Sequence, residues 1–238
     1  MKILSAISTV PLLVFLLSSS ALQAEFHEFT DTQGRTMKAE LINVIGNKVR
    51  LKREDGAAFT VSPAIFSQED QDYIHMWMIH TLNERDSLLH VEARSSQTNS
   101  KKHDDGSAKW KTWDGYYKMK IENDSDISLR DVRIEYNFWT FHMDLAAQSR
   151  RDGDTEITTG SLTIPMLKSR NDFECDSAKV SMRSFDLRSG WSWLGGGKDE
   201  SEDKLEGIWI RVYYQGELIE DWSNPSSLKE KYKWVKPK

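Results

Sequence analysis

The chain has 238 residues, and with 38% hydrophobic residues and nine tryptophans it carries enough apolar surface to build one or two folded domains. It contains 32 Lys and Arg against 37 Asp and Glu, so its formal net charge is −5 and gives no electrostatic basis for binding nucleic acid. The single cysteine, Cys175, excludes an intrachain disulfide. Because Cys175 alternates with Phe173, a buried thiol is expected, and a disulfide between two chains is the alternative.

Residues 1–24 have the pattern of an export signal. Lys2 precedes an apolar run at 10–17 that is too short to cross a bilayer as a helix, and small residues follow it. We predict cleavage after Ala24, with Ala21 as the alternative; loss of Lys2 then changes the net charge from −5 to −6. The mature protein is expected in the periplasm or outside the cell. The alternative is an uncleaved segment that anchors the chain in a membrane.

The segment after the export signal predicts a small β-barrel. Apolar and polar residues alternate at 36–41, 49–52 and 59–61, which is typical of half-buried strands. Between them, Gly46-Asn47 and Asp55-Gly56 are strong signals for tight hairpin turns. The sequence therefore predicts short antiparallel strands joined by hairpins.

A helix is predicted to follow the barrel and to complete a first domain at residues 25–86. Pro63 ends the sheet because it has no N–H for a strand ladder. Ser67 then caps the helix, with Asp70 three residues later as its reciprocal partner. One stripe of the helix is predicted to pack on the barrel or on the next domain, and it consists of Ile74, Trp77, Met78, Thr81 and Leu82.

An ordered series of short elements runs through residues 25–77. They are Phe29-Thr30-Asp31, Gly34-Arg35, Ala39-Glu40-Leu41, Val49-Arg50-Leu51, Asp55-Gly56, Phe59-Thr60-Val61, Pro63 and the run 66–74. This series resembles the Sla-one homology domain, a Src-homology-three-like barrel of endocytic adaptors. A similar barrel follows signal peptides in secreted proteins of planctomycete and verrucomicrobial bacteria. The resemblance implies a capacity for protein interaction. The matched positions are turn and core residues, so no peptide-binding residue is carried over.

Residues 87–238 predict a second, all-β domain. A polar stretch at 95–108 is expected to be a solvated loop. Inward-facing residues of the predicted strands are Leu89, Val91 and Ala93; Tyr117, Met119 and Ile121; Val132, Ile134, Tyr136 and Phe138; Leu162 and Ile164; Val180 and Met182; Ile208, Ile210, Val212 and Tyr214; and those of 218–222. About seven strands at this spacing favour a β-sandwich. The pattern resembles immunoglobulin-like and fibronectin-like sandwich modules of secreted bacterial proteins.

The C-terminal segment 225–238 is basic and contains Tyr232 and Trp234. We expect it to dock these aromatic rings on the second domain, because an exposed tryptophan is costly. The alternative is a tail that touches an anionic surface.

The sequence contains no recognisable catalytic or metal-binding motif. A Gly-x-Ser-x-Gly elbow, a phosphate loop and a His-Glu-x-x-His zinc helix are all absent. His75 and His80 are five residues apart on the predicted helix, a poor spacing for a shared metal. Asp124 with Asp126, and the run 152–154, lack the length and the later Glu of a calcium loop, so turns explain them better. No catalytic residue, metal or cofactor is predicted.

Four aromatic residues are the candidate ligand-binding residues. Trp191 and Trp193 precede three glycines, and two side chains one residue apart project to the same side of an extended segment. Trp209 and Tyr213 lie on the face of their strand opposite the core. Together they predict an exposed platform for a sugar or a peptide. The alternative is that these rings pack against the first domain or cover the edge of the sandwich.

Three functions stay open at this point, in order of preference. The first is a non-enzymatic, exported interaction protein of adaptor type, whose partner is another protein or a second copy of the chain. The second is a glycan-binding protein that uses the tryptophan platform. The third is a hydrolase with a site built from scattered carboxylates.

Overall fold

A computed structural model describes residues 26–237 of the chain. The predicted export signal and both of its candidate cleavage positions lie outside these residues. The fold is mainly β, as predicted, with 58% of the residues in strands and 11% in helices. The strands of this range form three antiparallel sheets. None of the helices within it is long and apolar enough to cross a membrane.

The first sheet is formed by the segments whose alternating pattern predicted strands. Its strands lie in the order β1 (His27–Thr30), β2 (Thr36–Ile45), β3 (Lys48–Arg53) and β4 (Ala58–Val61). Val49 and Leu51 are fully buried, and Phe59 and Val61 are half-buried, which confirms the predicted inward face. Gly56 in the β3–β4 hairpin has a φ of +85°, a backbone conformation that favours glycine.

The first sheet does not close into the predicted barrel. β1 and β4 are its two edges and do not pair with each other. After β4 the chain enters a 3-10 helix (Pro63–Ile65), because the proline cannot donate to a further ladder. A single bridge between Asp31 and Phe66 and a hydrogen bond of 2.7 Å from the Ser67 N–H to the Thr30 carbonyl then tie the chain back to β1. The predicted strands and the helix after Pro63 are found, but the barrel is not closed, because β1 and β4 do not pair.

Helix α1 (Gln68–Glu84) covers one face of the first sheet, and Ser67 caps it as predicted; the reciprocal bond is not formed, because the Ser67 N–H donates to the Thr30 carbonyl and not to the Asp70 side chain. The Ser67 Oγ accepts a hydrogen bond from the Asp70 N–H at 3.2 Å. The buried Asp70 carboxylate accepts from the Thr30 N–H at 2.7 Å and lies 2.7 Å from His27 Nε2. Burial acts to raise the pKa of Asp70, but these hydrogen bonds outweigh it and hold the pKa below its usual value. The fully packed side of the helix consists of Ile74, Met78 and Ile79.

The second half of the chain forms the predicted β-sandwich. One sheet contains β5 (Leu89–Asp104), β6 (Ala108–Asn123), β9 (Asp172–Asp176), β10 (Val180–Leu187) and β11 (Glu200–Glu202). The other has the order β13 (Glu217–Asn224), β12 (Lys204–Tyr214), β7 (Leu129–Met143) and β8 (Gly153–Leu167). The chain crosses between the sheets after β6, β8 and β11, which is the Greek-key connectivity of immunoglobulin-like sandwiches.

The polar stretch at 95–108 is not the predicted loop. Strand β5 continues through it to Asp104 and pairs with β6 as far as the end, with only 105–107 left as the turn. The polar pattern does not indicate this strand because polar contacts with the paired strand, and not an apolar face, accompany the backbone ladder here: Asn99 bonds to Asp114 at 2.6 Å, and His103 stacks on Trp110 at 5.3 Å. Asn99, with a φ of +52°, forms the irregularity at which the pairing register shifts.

A continuous core joins all three sheets. One cluster of buried apolar residues runs from the first sheet through α1 into the space between the two sheets of the sandwich. Within the sandwich, the rings of Tyr117 on β6 and Phe138 on β7 are 5.6 Å apart. Cys175 on β9 is half-buried, and burial raises the pKa of its thiol to about 11, as expected for an unreactive group. A short helix, α2 (Leu228–Lys231), begins the C-terminal segment.

Candidate functional site

The loop between β10 and β11 holds the first two predicted site residues in different environments. Trp191 is 58% exposed, and the neighbouring Leu194 is fully exposed. Trp193 folds back instead, because its Nε1 donates to the Lys198 carbonyl at 3.0 Å and its ring lies 5.7 Å from Phe185. The loop therefore presents one indole ring to solvent rather than two.

Trp209, the third predicted site residue, is buried beneath the C-terminal segment. It lies beside Trp139 on the outer face of the β12–β7 pair. Trp234 packs edge-on against Trp209 at 5.3 Å, and Tyr232 stacks on Trp139 at 4.5 Å. The basic segment thus docks its aromatic rings as predicted, and Trp209 has no surface left for a ligand. We call this group, with Leu228, the tail cluster.

Two carboxylates hold the tail cluster. Glu206 on β12 accepts from the Tyr232 hydroxyl and pairs with Lys231 Nζ at 2.9 Å. Asp221 on β13 accepts from Trp209 Nε1 at 2.5 Å, from Arg211 Nε at 3.0 Å and pairs with Lys229 Nζ at 2.6 Å. Burial acts to raise the pKa of Asp221, but the hydrogen bonds and the two cations hold it below its usual value. The Arg211 guanidinium also lies 4.4 Å from the Trp234 ring centroid, a cation–π contact.

Tyr213, the fourth predicted site residue, belongs to a different part of the molecule. Among residues 26–237, no ring contact connects it with Trp191, Trp193 or Trp209. The Arg133 guanidinium covers one face of the Tyr213 ring at 4.5 Å. The structure therefore does not bring the four predicted residues together. Tyr213 instead lines an open cleft of about 830 Å³.

This cleft, which we call the α1 cleft, lies between the helix and the sandwich. Its lining comes from the start of α1, from the beginning of β7 and from the β12–β13 turn; it includes Gln68, Gln71, Asp72, His75, Arg130, Asp131, Arg133, Tyr213 and Tyr214. At its base, His75 Nε2 and the Tyr214 hydroxyl are joined by a hydrogen bond of 2.9 Å. Burial lowers the pKa of His75, so the ring is neutral at neutral pH. A neutral hydrogen-bonded pair thus connects the two halves of the chain.

Charges of both signs surround this base. Asp72 accepts from Gln68 Nε2 at 2.9 Å on the helix side. Opposite, Asp131 has a φ of +53° within β7, and the ladder with β8 is interrupted at this residue. The distortion lies between two arginines, Arg130 and Arg133. Binding sites often hold backbone in such sparsely populated conformations, so the distortion at Asp131 favours a binding role for this cleft.

Residues 26–237 contain two hydrogen-bonded His–Asp pairs, and in neither is a serine, threonine or cysteine bonded to the histidine ring. His142 Nδ1 lies 3.0 Å from the buried Asp203 carboxylate, and its Nε2 lies 3.8 Å from Glu156. No serine, threonine or cysteine of residues 26–237 is hydrogen-bonded to that ring. The other pair is His27 with Asp70, in which Ser67 donates to the carboxylate rather than to the histidine. Both pairs join neighbouring segments of the fold, and neither has the order of groups that a catalytic triad needs.

Comparison with known proteins does not place the chain in a family. No protein-family model matches the chain, and no curated protein matches it either. Within the described range, no group of three or more His, Cys, Asp or Glu side chains is arranged to hold a metal ion.

Sequence reasoning found only Tyr213 among the residues of the α1 cleft. The sequence gives His75 no partner at metal-binding spacing, and Tyr214 is buried in the core as predicted. Their contact spans 139 positions, which no local pattern can indicate. The available signal is at the start of α1, where Gln68 and Asp72 lie away from the apolar stripe, and where Gln71 places a polar side chain in line with Ile74 and Met78.

Proposed function

We propose that this chain is an exported, non-enzymatic interaction protein that holds an extended segment of a partner protein in the α1 cleft. The observation that carries the proposal is the cleft itself, an open space of about 830 Å³ between the two halves of the chain. Its walls are held in a fixed relation by the shared core and by the bond between His75 and Tyr214. A preformed cleft avoids much of the ordering cost of binding.

The chemistry of the cleft suits a polypeptide. The amides of Gln68 and Gln71 can both donate to and accept from a peptide backbone. Arg130 offers a cation for an acidic side chain, and Asp72 offers an anion for a basic one. Tyr213 adds an amphipathic ring of the kind that is enriched at protein interfaces. A segment with charges of both signs is the best match to this lining.

The sequence contributes independent support. Residues 25–77 resemble a domain whose members act in protein interaction, and the export pattern at 1–24 fits delivery to the periplasm or the cell exterior. The helix of that resembling region supplies one wall of the cleft. The open sheet beneath it serves as a scaffold for the helix in this proposal.

The proposal can be tested by photo-cross-linking from inside the cleft. A benzophenone amino acid at Gln71, in the chain expressed with its own signal, should cross-link a discrete partner protein. The same probe at Arg50, an exposed position of β3, is the matched control and should give no such product. Arg130→Glu should abolish the Gln71 product without changing the melting temperature. The proposal fails if both probes give the same products, or if Arg130→Glu leaves the Gln71 product unchanged.

Glycan binding is a second candidate, and one observation favours it. Trp191 is the most exposed tryptophan side chain of the chain's described part, at 58%, and indole faces are good stacking partners for sugar rings. A titration with cell-wall oligosaccharides should then change the tryptophan emission, and Trp191→Ala should remove the change. Leu194→Ala, in the same loop, is the matched control. An emission change that survives Trp191→Ala would rule out this ring as the sugar contact.

A further inference from the structure

Strand β8 is an unprotected edge of the sandwich. Among residues 26–237 it pairs with β7 alone, over 15 residues from Gly153 to Leu167. An edge strand exposes a row of unpaired N–H and C=O groups, which form a template for a further strand. Natural sheets usually blunt such edges with charges, bulges, short strands or a covering segment. The five edge strands of the sandwich within residues 26–237, β5, β8, β9, β11 and β13, differ in these features.

The other four edges carry these protective features. β9 is 5 residues long and contains Asp172, Glu174 and Asp176. β5 has Glu92 and Arg94 in its first half and an irregularity at Asn99. β11 is only 3 residues long. β13 contains Glu217, Glu220 and Asp221, and the Lys229 side chain donates to the Asp221 backbone carbonyl. Each of these edges is therefore poorly suited to pair with another strand.

The C-terminal part of β8, residues 157–167, lacks the charged residues found on those edges. Residues 157–167 contain no Asp, Glu, Lys or Arg, and they are rich in threonine and isoleucine, which favour strands. Ile157 is 40% exposed and Met166 is 39% exposed, one near each end of this stretch. An exposed, uncharged and partly apolar edge strand is the pattern of an association surface.

The position of this edge is fixed by packing. Gly160 lies against the Tyr136 ring, because a Cβ at Gly160 would be 2.3 Å from the Tyr136 hydroxyl oxygen. That hydroxyl accepts a hydrogen bond of 2.8 Å from the Ala178 N–H, which belongs to the β9–β10 connection of the opposite sheet. The middle of β8 is thus held to both sheets. Pairing with a further strand therefore costs little additional conformational entropy.

We propose that β8 pairs with β8 of a second copy of this chain, in antiparallel orientation about a two-fold axis near Leu162. The charges at the two ends of β8 favour a second copy as the pairing strand. Such an axis sets Glu156 of one copy opposite Lys168 of the other, at both ends of the paired stretch, with only uncharged residues between. The two four-stranded sheets then form one sheet of eight strands.

One residue limits the ladder. Pro165 has no N–H, and in this register it lies opposite Thr159 of the second copy. It removes at most one ladder hydrogen bond at each end and leaves the central pairing intact. The inference goes beyond the proposed function, because it concerns the edge of β8 and a second copy of the chain; Thr163 is the one residue of β8 that also lines the α1 cleft.

The test is the mass of the chain in solution, measured by sedimentation over a range of concentrations. The chain without its predicted signal should sediment as a dimer that dissociates on dilution. Ser161 is exposed near the proposed axis, so Ser161→Lys and Ser161→Glu should each raise the dissociation constant by roughly tenfold or more, since like charges across a strand pair repel. An equimolar mixture of the two variants should recover the dimer.

Ser95→Lys makes the same substitution on β5, a different edge, and should leave the dimer unchanged. A monomer at every concentration overturns the proposal, and so does a dimer that Ser161→Lys leaves unaffected or that Ser95→Lys weakens equally. A wild-type monomer whose β8 amides nevertheless exchange slowly with deuterium would identify a segment of the same chain as the occupant. Cross-linking from Gln71 reports separately on the cleft, so failure of one proposal is distinguishable from failure of the other.

Discussion

Two groups of tryptophans in this molecule differ in what covers them. Trp139 and Trp209 lie on the outer face of neighbouring strands, and the C-terminal segment packs Tyr232 and Trp234 over them. Trp191 lies in a loop, 58% exposed. All three are indole side chains, but only Trp139 and Trp209 are covered by another segment of the same chain. An outward-facing aromatic ring therefore indicates a contact surface, but the contact can be internal.

The largest expected effect concerns the covered group. Trp209→Ala removes a buried ring, its contact with Trp234 and its hydrogen bond to Asp221. It should lower the free energy of unfolding by about 3–5 kcal/mol, the usual cost of a large-to-small change in a packed site. Urea denaturation followed by circular dichroism gives the value. Trp191→Ala is the control and should change it by less than about 0.5 kcal/mol. Equal effects of the two substitutions would contradict the distinction between the groups.

A smaller loss is expected when the covering segment is weakened. Trp234 is half-buried and touches both Trp209 and Arg211. Trp234→Ala should destabilise the protein by about 1–2 kcal/mol, because it removes partial burial and one cation–π contact. Trp209 should then become accessible to acrylamide, so that quenching of tryptophan emission increases. If quenching does not increase, the tail does not shield Trp209 in solution.

The pH dependence of the covered group follows from Asp221. Its pKa is lowered in the folded protein, so the carboxylate stabilises the fold above its ordinary pKa, and that contribution is lost as the pH falls through the lowered value. Asp221→Asn should therefore destabilise the protein at pH 7, and the difference from wild type should shrink in strong acid. Asp199→Asn, in the loop near Trp191, is the matched substitution and should have no effect at pH 7. A difference that grows towards acid would mean that the pKa is raised instead.

The sequence predicted local features of this fold well and distant contacts poorly. Val49 with Leu51, and the Ser67 cap, depend on neighbours within a few residues, and the structure confirms them. Closure of the barrel was not found, because it requires pairing between β1 and β4, which are remote in the sequence. The polar half of β5 was predicted as a loop because it has no alternating apolar pattern. It is a strand because its backbone pairs with β6.

The same limit applies to the candidate site residues. Trp209 and Tyr213 were correctly assigned to the outer face of β12, since alternation along a strand determines it. Alternation does not say that Trp209 is covered by a segment 25 positions later, or that Tyr213 lines a cleft with residues of α1. The α1 cleft itself depends on contacts between three segments that are remote in the sequence. Strand and helix periodicity give no information about such contacts.

The smallest change in stability, and the most direct test of exposure, concerns Trp191. Trp191→Phe keeps an aromatic ring in the loop and should leave the unfolding free energy unchanged. It should remove the largest acrylamide-accessible part of the emission, because the other indoles within residues 26–237 are less exposed. Trp193→Phe is the matched control, since that ring packs on Phe185 and its indole nitrogen is already bonded. If the two variants lose equal quenchable emission, Trp191 is no more accessible in solution than Trp193, and a second copy of the chain or another segment of the same chain covers it. Dilution separates these two, because only a second copy is lost from the purified protein as its concentration falls.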